Sequence, residues 1–153
     1  MKIGLVSDTH FGHPNEVVLP QWVEAAFTGV DMIVHAGDVE TQAAVSAFSR
    51  LAPVYAVRGN CDYCLQNNPQ AMNIEIGCGV LTVAHRAGHA RAAIEPRTRV
   101  MVYGHTHISL INQEGMLLVI NPGSPTMPRG GLPPSVAVLT VDGNKISAEL
   151  RHP

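Results

Sequence analysis

The sequence predicts an α/β fold, on three observations. The first half alternates short apolar runs with helix-like stretches, in the βαβαβ order that builds a parallel sheet with covering helices. The second half consists mainly of short apolar runs joined by glycine-containing turns. Four of the runs are followed at once by a polar cluster, and the carboxyl ends of strands are where an open α/β sheet presents its ligand-binding groups.

Each element follows from local pattern. Ile3 to Val6 is a buried strand that ends in Ser7-Asp8-Thr9-His10. Glu16 to Phe27 is helix-like, with Trp22, Val23 and Ala26 near one face, and Pro20 either kinks this helix or marks its true start. Met32 to His35 is a short strand stopped by Ala36-Gly37-Asp38. The Ala-rich stretch Thr41 to Leu51 is a second helix. Val54 to Val57 is a third strand, ending in Arg58-Gly59-Asn60. Ile74 to Ile76 and Val80 to Ala84 flank Gly77-Cys78-Gly79 as a hairpin. A short helix covers Ala90 to Ile94, and Val100 to Tyr103 is a buried strand ending in Gly104-His105-Thr106-His107. Ser109 to Asn112 and Leu117 to Asn121 surround Gln113-Glu114-Gly115 as a second hairpin. Asn121 to Pro134 is crowded with Pro and Gly and forms a turn-rich loop. Val136 to Val141 and Ile146 to Leu150 flank Asp142-Gly143-Asn144, a strong hairpin turn.

Composition narrows the function. The 153 residues make a single domain, 1–153, and 46% apolar content excludes a disordered chain. Ten Lys+Arg against twelve Asp+Glu leave a net charge of −2, so no basic excess exists to coat a nucleic acid. Only 14% of residues are charged, well below the usual quarter, which favours a homo-oligomer that covers part of its surface. No apolar run reaches the ~20 residues of a membrane span, and the apolar stretch at the N-terminus is too short for a signal peptide. Three cysteines, Cys61, Cys64 and Cys78, do not form a secreted disulfide framework, so a cytoplasmic protein with reduced thiols is expected. Eight histidines stand against two lysines, Lys2 and Lys145, and point to metal binding or acid–base chemistry.

The four strand-end clusters supply Asp8 and His10, then Asp38, then Asn60, then His105 and His107. Carboxylate, imidazole and amide oxygen are hard-to-borderline ligands, suited to Mn, Fe, Zn, Ni or Mg. The pairs Asp8/His10 and His105/His107, two residues apart, point the same way along an extended segment, so each pair either holds one metal or divides between two. Asp38 has two oxygens and is able to bridge two ions. Two ions about 3.5–4 Å apart clamp a phosphate and activate a water between them. Gly immediately precedes Asp38, Asn60 and His105, where a sharp turn exposes the next side chain.

Asp8-x-His10, Gly37-Asp38, Gly59-Asn60-Cys61-Asp62, His85 and Gly104-His105-Thr106-His107, in this order, resemble the calcineurin-like metallophosphoesterases. The spelling Gly-Asn-Cys-Asp, the small size and the segment Asn121-Pro122-Gly123-Ser124 with Pro128-Arg129 are similar to the small YfcE-type phosphodiesterase branch. The resemblance implies a two-sheet β-sandwich flanked by helices, with a dinuclear metal site at strand ends. It implies that Asp8, His10 and His107 hold one divalent ion, that Asn60, His85 and His105 hold the other, and that Asp38 bridges. Asp38, Asn60 and His105 are then the catalytic set, manganese is the usual ion, and a metal-bridging hydroxide attacks a small phosphodiester in line. Related readings are a phosphomonoesterase or nucleotide pyrophosphatase on the same site, or a non-catalytic scaffold of the same fold.

Two departures from the family pattern stand out. The family carries Gly after the histidine placed at position 85, whereas the run here is Ala84-His85-Arg86-Ala87-Gly88-His89, which makes His89 a rival ligand and Arg86 a candidate phosphate contact. Larger relatives carry His after Gly-Asn to protonate the leaving group. Cys61 stands there instead, and an ordinary thiol is a poor substitute at neutral pH. Plainer roles are expected elsewhere. His35 is a core residue, His13 has a surface role or contacts substrate, His152 lies in the tail, and Arg58 and Arg129 order backbone carbonyls or contact phosphate. Cys61-x-x-Cys64 spells a redox motif but lacks a helix-start context.

Overall fold

The computed structural model describes residues 1–153, the side chain of Cys64 excepted. Ten strands form two five-stranded sheets. The first sheet contains β1 (Lys2–Val6), β2 (Met32–His35), β3 (Val54–Ala56), β9 (Val136–Asp142) and β10 (Lys145–Arg151), in the order β10-β9-β1-β2-β3. The second contains β4 (Ala71–Glu75), β5 (Val80–Ala84), β6 (Thr98–Val102), β7 (Leu110–Glu114) and β8 (Leu117–Asn121), in the order β4-β5-β6-β8-β7. Three parallel strands lie together in each sheet, β1-β2-β3 in one and β5-β6-β8 in the other. Antiparallel hairpin partners complete the edges.

The central strands β1, β2, β5 and β8 read as continuous apolar runs because both their faces are covered, whereas the edge strands β7 and β10 stay largely exposed. Alternate residues then divide between two environments. Ile3, Leu5 and Val34 join Leu81, Val83, Val100, Val102, Ile120 and Leu139 in the core between the sheets. Val6, Ile33, Val136 and Val138 face outward under Val23, Phe27 and Phe48 of the helical layer. Met101, Val119 and Ala84 face outward on the second sheet, under Ala90. A fully buried Phe or Leu of this kind contributes about 1.5–3 kcal/mol. Gly4 on β1 leaves room for the Phe27 ring, since a Cβ there would lie 2.9 Å from it.

Three helices complete the fold: α1 (Gln21–Ala26), α2 (Gln42–Ser49) and α3 (Ala87–Ala92). Two of them depart from expectation. Pro20 marks the start of α1 rather than kinking a longer helix, and Pro14–Glu16 forms a separate 3-10 turn. Proline disfavours helical backbone at the residue before it, which cuts the stretch in two. The third helix begins three residues earlier than the composition implied, directly after β5, because Ala90 must reach the patch formed by Ala84, Met101 and Val119. The second helix starts at Thr41, whose hydroxyl accepts from the Ala44 N–H as an N-cap. No helix among the described residues is long and apolar enough to cross a membrane.

Candidate metal centre

The loops after β1, β2 and β6 share an unusual backbone. Six non-glycine residues have positive φ: Asp8, His10, Asp38, Glu40, His105 and His107. They form three pairs, each two residues apart, and five of the six are the expected ligands. A left-handed L-residue costs about 1–2 kcal/mol, and such strain clusters where a site over-determines it. The pairs are therefore not extended, as the sequence reading had them. Asp8 and His10 still converge. His105 and His107 separate: the His107 ring stacks on His10 at 5.0 Å, whereas the His105 ring stands edge-on to His85 at 5.2 Å.

The glycines have a second reason to be there. At Gly37, φ is +94°, as a sharp turn requires. Gly59 and Gly104 have no positive φ, and the constraint on them is space. A Cβ on Gly59 would lie 2.1 Å from Asp38 Oδ1, and one on Gly104 would lie 1.8 Å from Ser7 Oγ and 2.6 Å from Asp8 Oδ2. The carboxylates of the site pack directly on these backbones.

Two groups of donors result, each with its ligand atoms within 4.8 Å of one another: Asp8, His10 and His107, and Asp8, Asp38 and His85. His107 Nε2 is 3.4 Å from Asp8 Oδ1 and 3.3 Å from His10 Nε2. Asp38 Oδ2 lies between the two halves, 3.8 Å from His10 Nε2 and 3.3 Å from His85 Nε2. Asn60 Oδ1 is 3.1 Å from His85 Nε2. His85 is buried in the cluster, whereas its rival His89 is exposed on α3. The His105 ring is the outlier, since no such group of three donors includes it among the described residues.

Three imidazoles are oriented the same way. His85 Nδ1 donates to Ala36 O at 2.8 Å, His107 Nδ1 to Met127 O at 2.6 Å, and His10 Nδ1 to Glu40 Oε1 at 2.6 Å. Each bond places the ring proton on Nδ1 and leaves the Nε2 lone pair facing inward, the arrangement of metal-ligating histidines. The donor set thus fits divalent ions in chemistry and direction. His10, Glu40 and Cys61 also lie close together, but the Glu40 carboxylate is occupied in holding the back of His10.

Electrostatics agree. Burial pushes Asp38 up, but the His85 hydrogen bond, the Cys61 N–H and the charges of His85 and His10 outweigh it and hold the carboxyl well below the ordinary range. Burial raises Asp8. Burial opposes the charged form of His85, yet Asp38 and Asp8 together raise it. Burial, then Arg86 and His85, lower His105 and favour its neutral ring. Cys61 is pushed up to about 11, first by burial and then by Asp38. That thiol is too weak an acid to replace an imidazolium. The Cys61-x-x-Cys64 redox reading involves a side chain outside the described residues.

Several functional residues escaped the sequence reading. Asp62 appeared there only as part of a motif. It is buried and accepts from the N–H groups of Asp38 at 2.9 Å, Glu40 at 2.6 Å and Gly59 at 2.7 Å, so it ties the loop after β2 to the loop after β3. Ser124 and Thr126, in the turn-rich segment, donate to Asp8 O at 2.7 Å and Thr9 O at 2.8 Å and support the loop after β1. Only the Gly-Asn-Cys-Asp and Asn-Pro-Gly-Ser spellings hinted at these roles. Glu40 carried no signal. His35 is buried as expected. Its Nδ1 accepts from Gly37 N–H and its Nε2 bonds Thr9 Oγ1, and burial lowers it to about 3, so it stays neutral beneath the site. His13 lies at the surface and caps the 3-10 turn.

Sandwich, strand-end loops and converging donors together define a metal-binding phosphoesterase fold, and comparison with known proteins agrees. Residues 1–144 match the calcineurin-like phosphoesterase superfamily domain. A probable metallophosphoesterase of Methanothermobacter thermautotrophicus is 35% identical over 98% of this chain and 91% of its own length. The phosphodiesterase YfcE of Escherichia coli K12 is 32% identical over 93% of this chain and 89% of its own. In fold, zinc-complexed Vps29 of Entamoeba histolytica superposes with a TM-score of 0.80 over 98% of this chain and 91% of that one, at 22% identity. The chain belongs to the calcineurin-like phosphoesterase superfamily.

Proposed function

We propose that the chain is a metal-dependent phosphodiesterase that hydrolyses a small phosphodiester with two divalent ions, manganese first among them. The observation that carries this reading is Asp38 Oδ2, which faces His10 on one side and His85 on the other. Asp8, His10 and His107 would hold one ion, Asn60, His85 and His105 the second, with Asp38 shared. Ions so held supply Lewis-acid charge that acidifies a water and offsets charge on the phosphoryl oxygens.

The chain's own groups do the rest. The Cys61 N–H, 2.8 Å from Asp38 Oδ1, fixes the carboxylate so that Oδ2 points inward. The carbonyls of Ala36 and Met127 and the Glu40 carboxylate hold the three Nδ1 atoms, so the Nε2 atoms of His85, His107 and His10 face inward. The Cys61 thiol, pushed up to about 11, is a poor proton donor to the leaving oxygen. Turnover then depends on a leaving group that departs without protonation.

The test uses chelator-stripped protein with bis-p-nitrophenyl phosphate, p-nitrophenyl phosphate and an alkyl p-nitrophenyl diester. Nitrophenol release is expected only on adding Mn²⁺ or a similar ion, faster from the diesters than from the monoester. A faster monoester would move the reading to a phosphomonoesterase. Folded protein that releases no nitrophenol with any divalent ion would move it to a non-catalytic scaffold.

A further inference from the structure

Beside the His85–Asn60 half of the site opens a cleft of about 300 Å³, with Arg58, Tyr63, Arg86 and His89 in its lining. It is contiguous with the site, since Asn60 and His85 line it too. Its charge is one-sided. Asp62 is the one carboxylate in the lining among the described residues, and both its oxygens already accept backbone N–H groups. The two guanidinium groups have no such engagement. Arg91, Arg97 and Arg151 pair with Glu114, Glu75 and Glu149, whereas Arg58 and Arg86 form no ion pair among the described residues. Arg86 occupies the N-cap position of α3 without capping it, and its Nη2 lies 3.4 Å from Asn60 Oδ1. Arg58 is braced, its Nη1 donating to Gln66 O at 3.1 Å.

A planar guanidinium suits phosphate oxygens, and two of them without carboxylate partners beside a phosphoester site form an anion-selective wall. The volume is at the lower end for small-molecule sites and fits a compact group rather than a polymer. We infer that this cleft is a second anion subsite: it receives one ester arm of the substrate and selects small phosphodiesters whose arm carries a further phosphate, read by Arg86 and Arg58. The inference rests on the phosphodiesterase reading above and names its substrate class. Arg86 is thereby a specificity residue. In hydrolysis, water adds across the P–O bond at the metal centre while the second phosphate keeps all its bonds.

Two probes that differ by one phosphate test this: thymidine 5′-(p-nitrophenyl phosphate), and the same compound phosphorylated at the 3′ position. The extra phosphate is expected to raise kcat/KM about tenfold or more, mainly through KM. Calorimetry is expected to show thymidine 3′,5′-bisphosphate binding about tenfold more tightly than thymidine 5′-phosphate, in Mn²⁺-loaded and in chelator-stripped protein alike. In Arg86→Ala, whose exposed side chain supports no packing, both ratios fall to within about twofold of one. Wild-type ratios near one overturn the inference. So do ratios that survive in the Arg58→Ala/Arg86→Ala double variant. Absence of nitrophenol release from both compounds, with the calorimetric preference intact, contradicts hydrolysis and leaves the anion subsite supported.

Discussion

Asp38→Asn is expected to lower turnover of bis-p-nitrophenyl phosphate by about 10³-fold or more in Mn²⁺-loaded protein, equivalent to about 4 kcal/mol of lost transition-state stabilisation. The substitution is chosen to leave the loop in place. Asn tolerates the left-handed conformation that residue 38 adopts at φ 55°, and its carbonyl oxygen is able to keep the bond from Cys61 N–H. What disappears is the negative oxygen between His10 and His85, together with its ability to serve both halves of the site. Far-UV circular dichroism should match the wild type. Steady-state kinetics across a Mn²⁺ titration provides the check. A variant that regains full turnover at high Mn²⁺ would show that Asp38 only tightens metal binding.

Asp62→Ala is expected to destabilise the metal-free protein by about 4 kcal/mol, because one buried and two part-buried N–H donors lose their acceptor at about 1–3 kcal/mol each. Those donors belong to Asp38, Glu40 and Gly59, so the loss spreads to the Asp38 carboxylate and to Glu40, which bonds His10. Asp62→Asn should fall between. Its oxygen still accepts from two of the N–H groups, but its amide sets a donor against the third. Urea unfolding of chelator-stripped wild type and both variants gives the comparison. A loss below about 1 kcal/mol for Asp62→Ala would mean that the two loops hold their shape without this carboxylate.

The contrast between Asp38 and Asp62 shows what was legible in the sequence. Asp38 follows an apolar run and a glycine, so its place at a strand end and its exposure to ligand were readable. Asp62 sits in the same kind of motif, but its role depends on three N–H groups from two loops, and no spacing encodes that. Apolar runs located the central strands because both their faces are covered, yet the pairing of β6 with β8, across an intervening hairpin strand, is a tertiary fact. The left-handed backbone at Asp8, His10, His105 and His107 arises from loop closure against neighbouring loops, so spacing alone misjudged the direction of His105. Gly59 and Gly104 were recognised as necessary but for the wrong reason. Their hydrogen atoms face carboxylate and hydroxyl oxygens from other loops, contacts that the chain brings together only when folded. Burial separates the two candidate histidines: position 85 directly follows a fully buried strand, whereas position 89 falls on the solvent side of a short helix.

The central claim is that two sets of side chains, sharing Asp38, hold two divalent ions. Mn²⁺ bound per chain, measured by elemental analysis and isothermal titration calorimetry on chelator-stripped protein, tests it most directly. The expected count is two for the wild type and for His89→Ala, and one for His85→Ala. A wild type that binds a single ion, or a count that falls in His89→Ala and not in His85→Ala, would contradict the account.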